Sequence, residues 1–238
     1  MHLTRPPHRP LVFAHRGASA LAPENTVAAF ARAVEVGADG VELDVRLTRD
    51  GTMVVHHDAS IPRFGIIADR TFDDLRTAAP SVPTLEEAVA ACADLVVNIE
   101  LKNDPAEPDF DGDHSVADLV VEWAARWRHR VVVSSFNHDT VTRVRHLDPA
   151  VATGQLVDRT AYLDSELDGA AESGHLYVIP HKRHMRSDPA GVVAAAAGRG
   201  LQLIVWTVDG ARSQRELAAA GVAAIVCNNP KRALARLG

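Results

Sequence analysis

Cysteine is scarce in this chain of 238 residues, with only Cys92 and Cys227 present, which excludes a disulfide-built scaffold and a cysteine-rich metal site. Cys92 falls in helical register with Leu85, Ala88 and Val89, and Cys227 ends the apolar run Ala224-Ile225-Val226, so both read as small buried hydrophobes. Aromatic residues are also few, at 5% against 47% hydrophobic overall, so the core must be built from Val, Leu, Ile and Ala. No apolar stretch approaches membrane-spanning length, and the first ten residues, MHLTRPPHRP, lack the hydrophobic segment of an export signal. A cytoplasmic protein with no integral membrane segment is expected. Positive charge is in deficit. The net charge of −6 argues against broad binding to nucleic acid or anionic membranes. It leaves room for an anionic substrate, because a bound divalent cation can supply the missing charge locally. No linker, low-complexity tract or repeat divides the chain, so residues 1–238 read as a single domain, and nothing in them fixes an oligomeric state.

What is present is alternation. Short β-rich runs recur about eight times, at Leu11–Ala14, Val41–Leu47, Leu95–Leu101, Val131–Ser135, Val151–Val157, Leu176–Pro180, Leu201–Trp206 and Ala223–Cys227. Amphipathic segments lie between them. Val27, Phe30, Ala31 and Val34 share one helical face before the stop at Gly37, and Thr84 and Glu87 form a capping box. Ser115 precedes a face of Val116, Leu119, Val120, Trp123 and Trp127, and further helices fit His138–Leu147, Pro189–Gly198, Ser213–Ala220 and Lys231–Leu237. Repeated strand–helix alternation implies parallel strands joined by right-handed crossovers, and eight units at this length favour a closed (β/α)8 TIM barrel. One unit is irregular. Some thirty residues separate the second strand from the helix at Thr84, and they open with the turn Arg49-Asp50-Gly51 and a β-rich run, Thr52–His57. This predicts a hairpin insertion after the second strand. The acidic stretch from Asn103 to His114 reads as a surface loop.

Two of the strands invert the usual pattern for a buried sheet. In Val41-Glu42-Leu43-Asp44-Val45-Arg46-Leu47, and again in Val97-Asn98-Ile99-Glu100-Leu101-Lys102, apolar residues alternate with charged or polar ones. Successive side chains on a strand point to opposite faces. In a barrel wrapped by helices the apolar face must meet the helices, which turns Glu42, Asp44 and Glu100 toward the lumen. Glu42 and Asp44 lie two residues apart, with Cα atoms separated by roughly 6–7 Å on one face. Three carboxylates gathered without a cation would repel one another and raise each other's pKa, so one divalent cation is the economical expectation. All-oxygen ligation favours Mg²⁺, Ca²⁺ or Mn²⁺. The ordinary alternative is salt bridging among Glu42, Arg46, Glu100 and Lys102. The first strand ends in His15-Arg16-Gly17 and the inserted hairpin in His57-Asp58, which puts two histidines capable of proton transfer on the carboxylate side.

His15-Arg16-Gly17, Pro23-Glu24-Asn25-Thr26, Gly37-Ala38-Asp39, Glu42-Leu43-Asp44-Val45, Asp50-Gly51, Val54-Val55 and His57-Asp58 together resemble, in order and spacing, the signature of the glycerophosphodiester phosphodiesterase family. Glu100-Leu101-Lys102 and Trp206-Thr207-Val208 extend the likeness over nearly the whole chain. The resemblance implies a (β/α)8 barrel that hydrolyses glycerophosphodiesters to glycerol 3-phosphate and an alcohol, usually with a divalent cation. It implies His15 and His57 as the acid–base pair, Glu42, Asp44 and Glu100 as metal ligands, and Arg16 and Lys102 as phosphate contacts. Phe136 and Trp206 are expected in the substrate pocket. Which histidine is the acid is left open, as is a cyclic phosphate intermediate. The chain departs from the family after His57-Asp58, where Ala59-Ser60-Ile61-Pro62-Arg63-Phe64-Gly65 replaces an Arg-Thr-Thr and Gly-rich stretch. It departs again near the end, where Gly221-Val222-Ala223 and Cys227-Asn228 stand in place of an Asp after Gly-Val and a Thr-Asp. Two other readings follow the same residues. A phospholipase or sphingomyelinase D-like lipid hydrolase would need apolar residues at the mouth, for which Phe64, Phe136 and Trp206 are candidates. A catalytically silent phosphodiester-binding protein should have lost some of the proposed catalytic set.

Overall fold

The computed structural model describes residues 3, 6 and 8–238; Met1, His2, Thr4, Arg5 and Pro7, half of the N-terminal stretch read above for an export signal, lie outside them. The chain opens with β1 (Leu11–His15), α1 (Val27–Glu35) and β2 (Gly40–Leu47). An excursion follows, made of β3 (Met53–Val55), β4 (Ser60–Ile61), β5 (Gly65–Ile66) and α2 (Phe72–Ala78), before α3 (Leu85–Ala91) restores the alternation. The remainder runs β6 (Val96–Leu101), α4 (Ser115–Ala124), β7 (Val131–Ser135), α5 (His138–Leu147), β8 (Ala152–Val157), α6 (Leu163–Glu172), β9 (Tyr177–Pro180), α7 (Pro189–Ala197), β10 (Gln202–Val205), α8 (Ala211–Ala220), β11 (Ala224–Cys227) and α9 (Pro230–Leu237). Parallel pairing passes from β1 through β2, β6, β7, β8, β9 and β10 to β11, and β11 returns to β1, closing an eight-stranded barrel. Among the described residues no helix is long and apolar enough to cross a membrane.

Local chemistry explains the helix starts. Thr26 accepts a hydrogen bond from Ala29 N at the start of α1, and Thr84 and Glu87 make the expected capping box at α3. α4 departs from expectation: its N-cap is His114, in a left-handed conformation, and the helix ends before Trp127. Two helices were not legible in the sequence pattern. α2 is capped by Thr71 and Asp74, an aspartate version of the same box, and α6 begins at Tyr162 without a side-chain cap.

Alternation along the strands sorts the side chains as the barrel requires. Val41, Leu43, Val45, Val97, Ile99 and Leu101 pack outward against Leu85, Val89, Val116 and Val120 of the helices. The floor of the lumen is filled by Phe13, Val132, Ala152, Tyr177, Ile204 and Ala224. Polar groups occupy the layer above, with His15 paired in register to Glu42, Glu42 to Asn98, Asp44 to Glu100 and Glu100 to Ser134. The insertion is larger than a hairpin. β3 lies antiparallel to β2, and the β4–β5 ribbon then leads through a 3-10 turn to α2. Ile67, Leu75 and Val82 give this excursion a small core of its own, with Phe64 packed against it. Cys92 and Cys227 are free and buried, as expected, and burial pushes both thiols up to about 12.

Candidate active site

The site stands at the C-terminal ends of β1, β2 and β6, the rim where barrels of this kind carry function. Glu42, Asp44 and Glu100 each offer an oxygen within 4.8 Å of the other two, and all three are buried. Two oxygens bound to one ion at roughly 2.0–2.6 Å can lie that far apart, so the set fits a hard divalent cation. The electrostatics fit too. Burial, reinforced by the charges of Asp44 and Glu100, raises the Glu42 carboxyl well above its ordinary range. Glu100 is also raised by burial, against the opposing pull of Lys102. Asp44 moves the other way: burial would raise it, but Lys102, Arg16, His57 and Asn25 together hold it low.

Each neighbour of the cluster has a sequence reason. Arg16 adopts a left-handed backbone (φ 54°), and Gly17 follows at φ 77°, where a Cβ would come within 2.7 Å of the Ala29 backbone. That turn aims the Arg16 N–H at Glu42 Oε2, 3.0 Å away, while its side chain pairs with Asp44 at 3.3 Å and Glu24 at 2.8 Å. Asn25, left-handed as well, donates to Asp44 Oδ2 at 2.7 Å. Lys102 Nζ lies 2.6 Å from Glu100 and 3.2 Å from Asp44, and these carboxylates raise its pKa against burial. The structure thus qualifies two expectations. Arg16 and Lys102, expected on phosphate alone, are already ion-paired within the acidic cluster. Arg46, placed by the salt-bridge alternative with Glu42, Glu100 and Lys102, turns instead to Asp109 and Glu107.

The two histidines differ in their partners. His15 Nδ1 is 2.7 Å from Asn228 Oδ1. Asn228 donates its own Nδ2 to Asp209 Oδ2 at 2.7 Å and its main-chain N–H to Oδ1 at 2.9 Å, so its oxygen is left to accept from His15. The His15 proton therefore sits on Nδ1 and Nε2 is bare, 4.0 Å from Glu42. Burial lowers the His15 pKa, with the Asn228 hydrogen bond working against it. His57 lies in a bend two residues beyond β3 and donates Nδ1–H to its neighbour's carboxylate, Asp58 Oδ1, at 2.6 Å. His56 turns to the Asp58 carbonyl at 2.8 Å.

These groups line a cavity of about 120 Å³ whose other wall is apolar, made of Phe136, Leu156, Ile179, Trp206 and Val226. The Phe136 and Trp206 rings meet edge to face at 5.5 Å, and Trp206 Nε1 donates to the Ile179 carbonyl. All nine candidate residues named from the sequence are accounted for: eight line this cavity, and Asp44 lies beside them in the carboxylate cluster. Phe64, proposed for an apolar mouth, is folded into the excursion's own core. Sequence reasoning missed Asn228 and Asp209, whose only signal was the Cys227-Asn228 departure, and gave no role to Asn98 or Ser134. Among the described residues the buried Asn98 Oδ1 and Ser134 Oγ have no hydrogen-bond partner. A larger cleft of about 800 Å³ lies among Val27, Arg76, Pro83 and Glu87, and none of the nine candidate residues lines it.

Comparison with known proteins agrees with the geometry. The Glycerophosphodiester phosphodiesterase of Caldanaerobacter subterraneus subsp. tengcongensis is 32% identical over 93% of this chain and 95% of its own length. Among solved structures, a glycerophosphodiester phosphodiesterase of Thermotoga maritima superposes with a TM-score of 0.83 at 26% identity, covering 96% of this chain and 98% of that one. A phosphodiesterase of Oleispira antarctica, solved in complex with the product sn-glycerol-3-phosphate, shares the fold at a TM-score of 0.80 and 23% identity, with 96% of each chain covered. The model of the glycerophosphoryl diester phosphodiesterase family matches residues 15–232, and the chain belongs to that family.

Proposed function

We propose that this chain hydrolyses small dissolved glycerophosphodiesters to glycerol 3-phosphate and an alcohol, using His15 and His57 beside a carboxylate-held divalent cation. The observation that carries the reading is the pairing of two histidines, each with Nδ1 committed, with three carboxylate oxygens within 4.8 Å of one another at one cavity. Glu42, Asp44 and Glu100 would hold the cation, which when bound supplies positive charge against the non-bridging phosphate oxygens. Arg16 and Lys102 add fixed positive charge at the same side. His15, neutral and with a neutral amide behind it, accepts the proton of the attacking hydroxyl at Nε2 as the oxygen–phosphorus bond forms. His57, its Nδ1–H held by Asp58 Oδ1, gives its Nε2 proton to the leaving oxygen as the second phosphorus–oxygen bond breaks. Phe136 and Trp206 would face the carbon skeleton of the substrate.

The same reading takes residues 1–238 as one cytoplasmic domain with no nucleic-acid partner. Its test is a panel of glycerophosphodiesters assayed after EDTA treatment and after adding back Mg²⁺, Ca²⁺ or Mn²⁺ singly. Activity that disappears with the chelator, returns with a metal and yields glycerol 3-phosphate is expected. Cleavage that instead leaves free glycerol, or that ignores EDTA, would overturn the reading.

A further inference from the structure

Above the carboxylate cluster, β2 carries one more lumen-side charge, Arg46. Its side chain is 0% exposed. Nε and Nη2 both donate to the main-chain carbonyl of His57, at 2.9 and 2.5 Å. Nη1 donates to Asp109 Oδ2 at 2.6 Å, and Nη2 lies 2.7 Å from Glu107 Oε2. Both acids come from the loop between β6 and α4, and the Asp109 side chain is only 4% exposed.

A buried guanidinium needs its charge balanced and its donors satisfied. Two carboxylates would balance the charge by themselves, yet the planar fork is also spent on one peptide carbonyl. That carbonyl belongs to a residue in a bend with no strand pairing of its own. His57 is thus held at two points, its ring by Asp58 and its main chain by Arg46. We propose that Arg46 is a positioning residue for His57, and that Asp109 and Glu107 orient its fork, so that the β6–α4 loop determines where the proton donor sits. This rests on the role given to His57 above. Lysine cannot replace the fork, because a single ammonium cannot serve the carbonyl twice while reaching Asp109.

The test is a kinetic cycle on the full chain loaded with divalent metal. Arg46→Lys should lower kcat on a glycerophosphodiester with an alkyl alcohol leaving group by about ten- to a hundredfold, the scale expected of a slightly misplaced catalytic group, with KM little changed. The loss should nearly vanish with a p-nitrophenyl leaving group. It should also vanish when introduced into His57→Ala, since a residue that acts through His57 has nothing left to position. Metal affinity measured by calorimetry should be unaltered. An equal loss in the His57→Ala background, or a change confined to KM or to metal affinity, would overturn the proposal. Should Arg46→Lys fail to fold, Asp109→Asn keeps the guanidinium and its Glu107 partner. It should show the same kcat pattern at about three- to tenfold, and a silent Asp109→Asn would also overturn it. Full activity of His57→Ala itself would instead remove the underlying reading of the reaction, and this inference with it.

Discussion

On β1, β2 and β6 the upper lumen positions hold His15, Glu42, Asp44, Asn98 and Glu100, whereas on or just past β8 to β11 they hold Leu156, Ile179, Trp206 and Val226. One half of the ring is built for charge and the other for carbon. The halves face each other across one small cavity, so once the carboxylates hold the proposed cation, a ligand that satisfies both is anionic at one end and lays carbon along the other wall. A phosphodiester carrying a short carbon skeleton meets that description, and a bare phosphate does not. The difference also has a stability side. The apolar half needs no partner to be stable, while the polar half gathers three carboxylates that burial disfavours.

The comparison breaks most visibly at the carboxylates. Alanine at Glu42, Asp44 or Glu100 is expected to abolish metal-dependent activity while leaving the far-UV circular dichroism intact. Retained activity in any of the three would remove that residue from the metal set. The histidines come next. His15→Ala and His57→Ala should each cost about 10²–10⁴-fold in kcat/KM. A p-nitrophenyl leaving group, which needs no proton, should rescue His57→Ala alone, and His56→Ala should be nearly silent. Rescue of His15→Ala instead would reverse the two roles. Lys102→Ala should follow, with a loss worth about 2–4 kcal/mol in kcat/KM, the scale of one charge-stabilising contact. The apolar half is tested by Leu156→Ala, for which about 1–3 kcal/mol is expected, the worth of a small change in a hydrophobic pocket, seen in KM. A kcat effect without a KM effect would mean that this wall does more than hold carbon.

The smallest effect concerns pH. Glu42 titrates above its ordinary 4.5 in the folded chain. Above 4.5 the unfolded chain gives up this proton while the folded chain keeps it, so the Glu42 contribution favours folding at low pH. It is lost as pH rises through the folded value. Glu42→Gln should therefore flatten the decline in thermal midpoint of the chelator-treated protein above pH 4.5. Saturating divalent metal should flatten the wild-type curve in the same way. Equal slopes for the variant and the chelated wild type would mean that Glu42 carries no such strain.

The polar half was the legible half. Alternation of Glu, Asp and Arg with Val and Leu along β2 specifies a charged inner face once the helices are known to cover the outer one, and β6 repeats the pattern. β9 and β11 are apolar on both faces, so nothing marks Ile179 or Val226 as wall residues beforehand. Asn228 lies past the end of β11, and the His15 that it holds comes from the other end of the chain. Arg46 was visible as a lumen charge, but its partners Glu107 and Asp109 lie in an irregular loop whose path no periodicity encodes. The helix α6 escaped because its one face, Leu163, Leu167, Ala170 and Ala171, is half alanine and has Gly169 beside it, a weak mark although the helix runs through it unbroken.

The hydrogen bond between His15 and Asn228 joins residues 213 apart in sequence, across the seam where β1 meets β11. The histidine proposed as proton acceptor is therefore assembled only by the slowest kind of contact, one that must close nearly the whole chain into a ring. During refolding, helix signal should recover before the β1–β11 seam forms, and catalytic competence should recover with the seam. Activity regained over time would then serve as a clock for ring closure, and a chain shortened before β11 would retain both histidines and all three carboxylates yet lack the partner that sets the His15 tautomer.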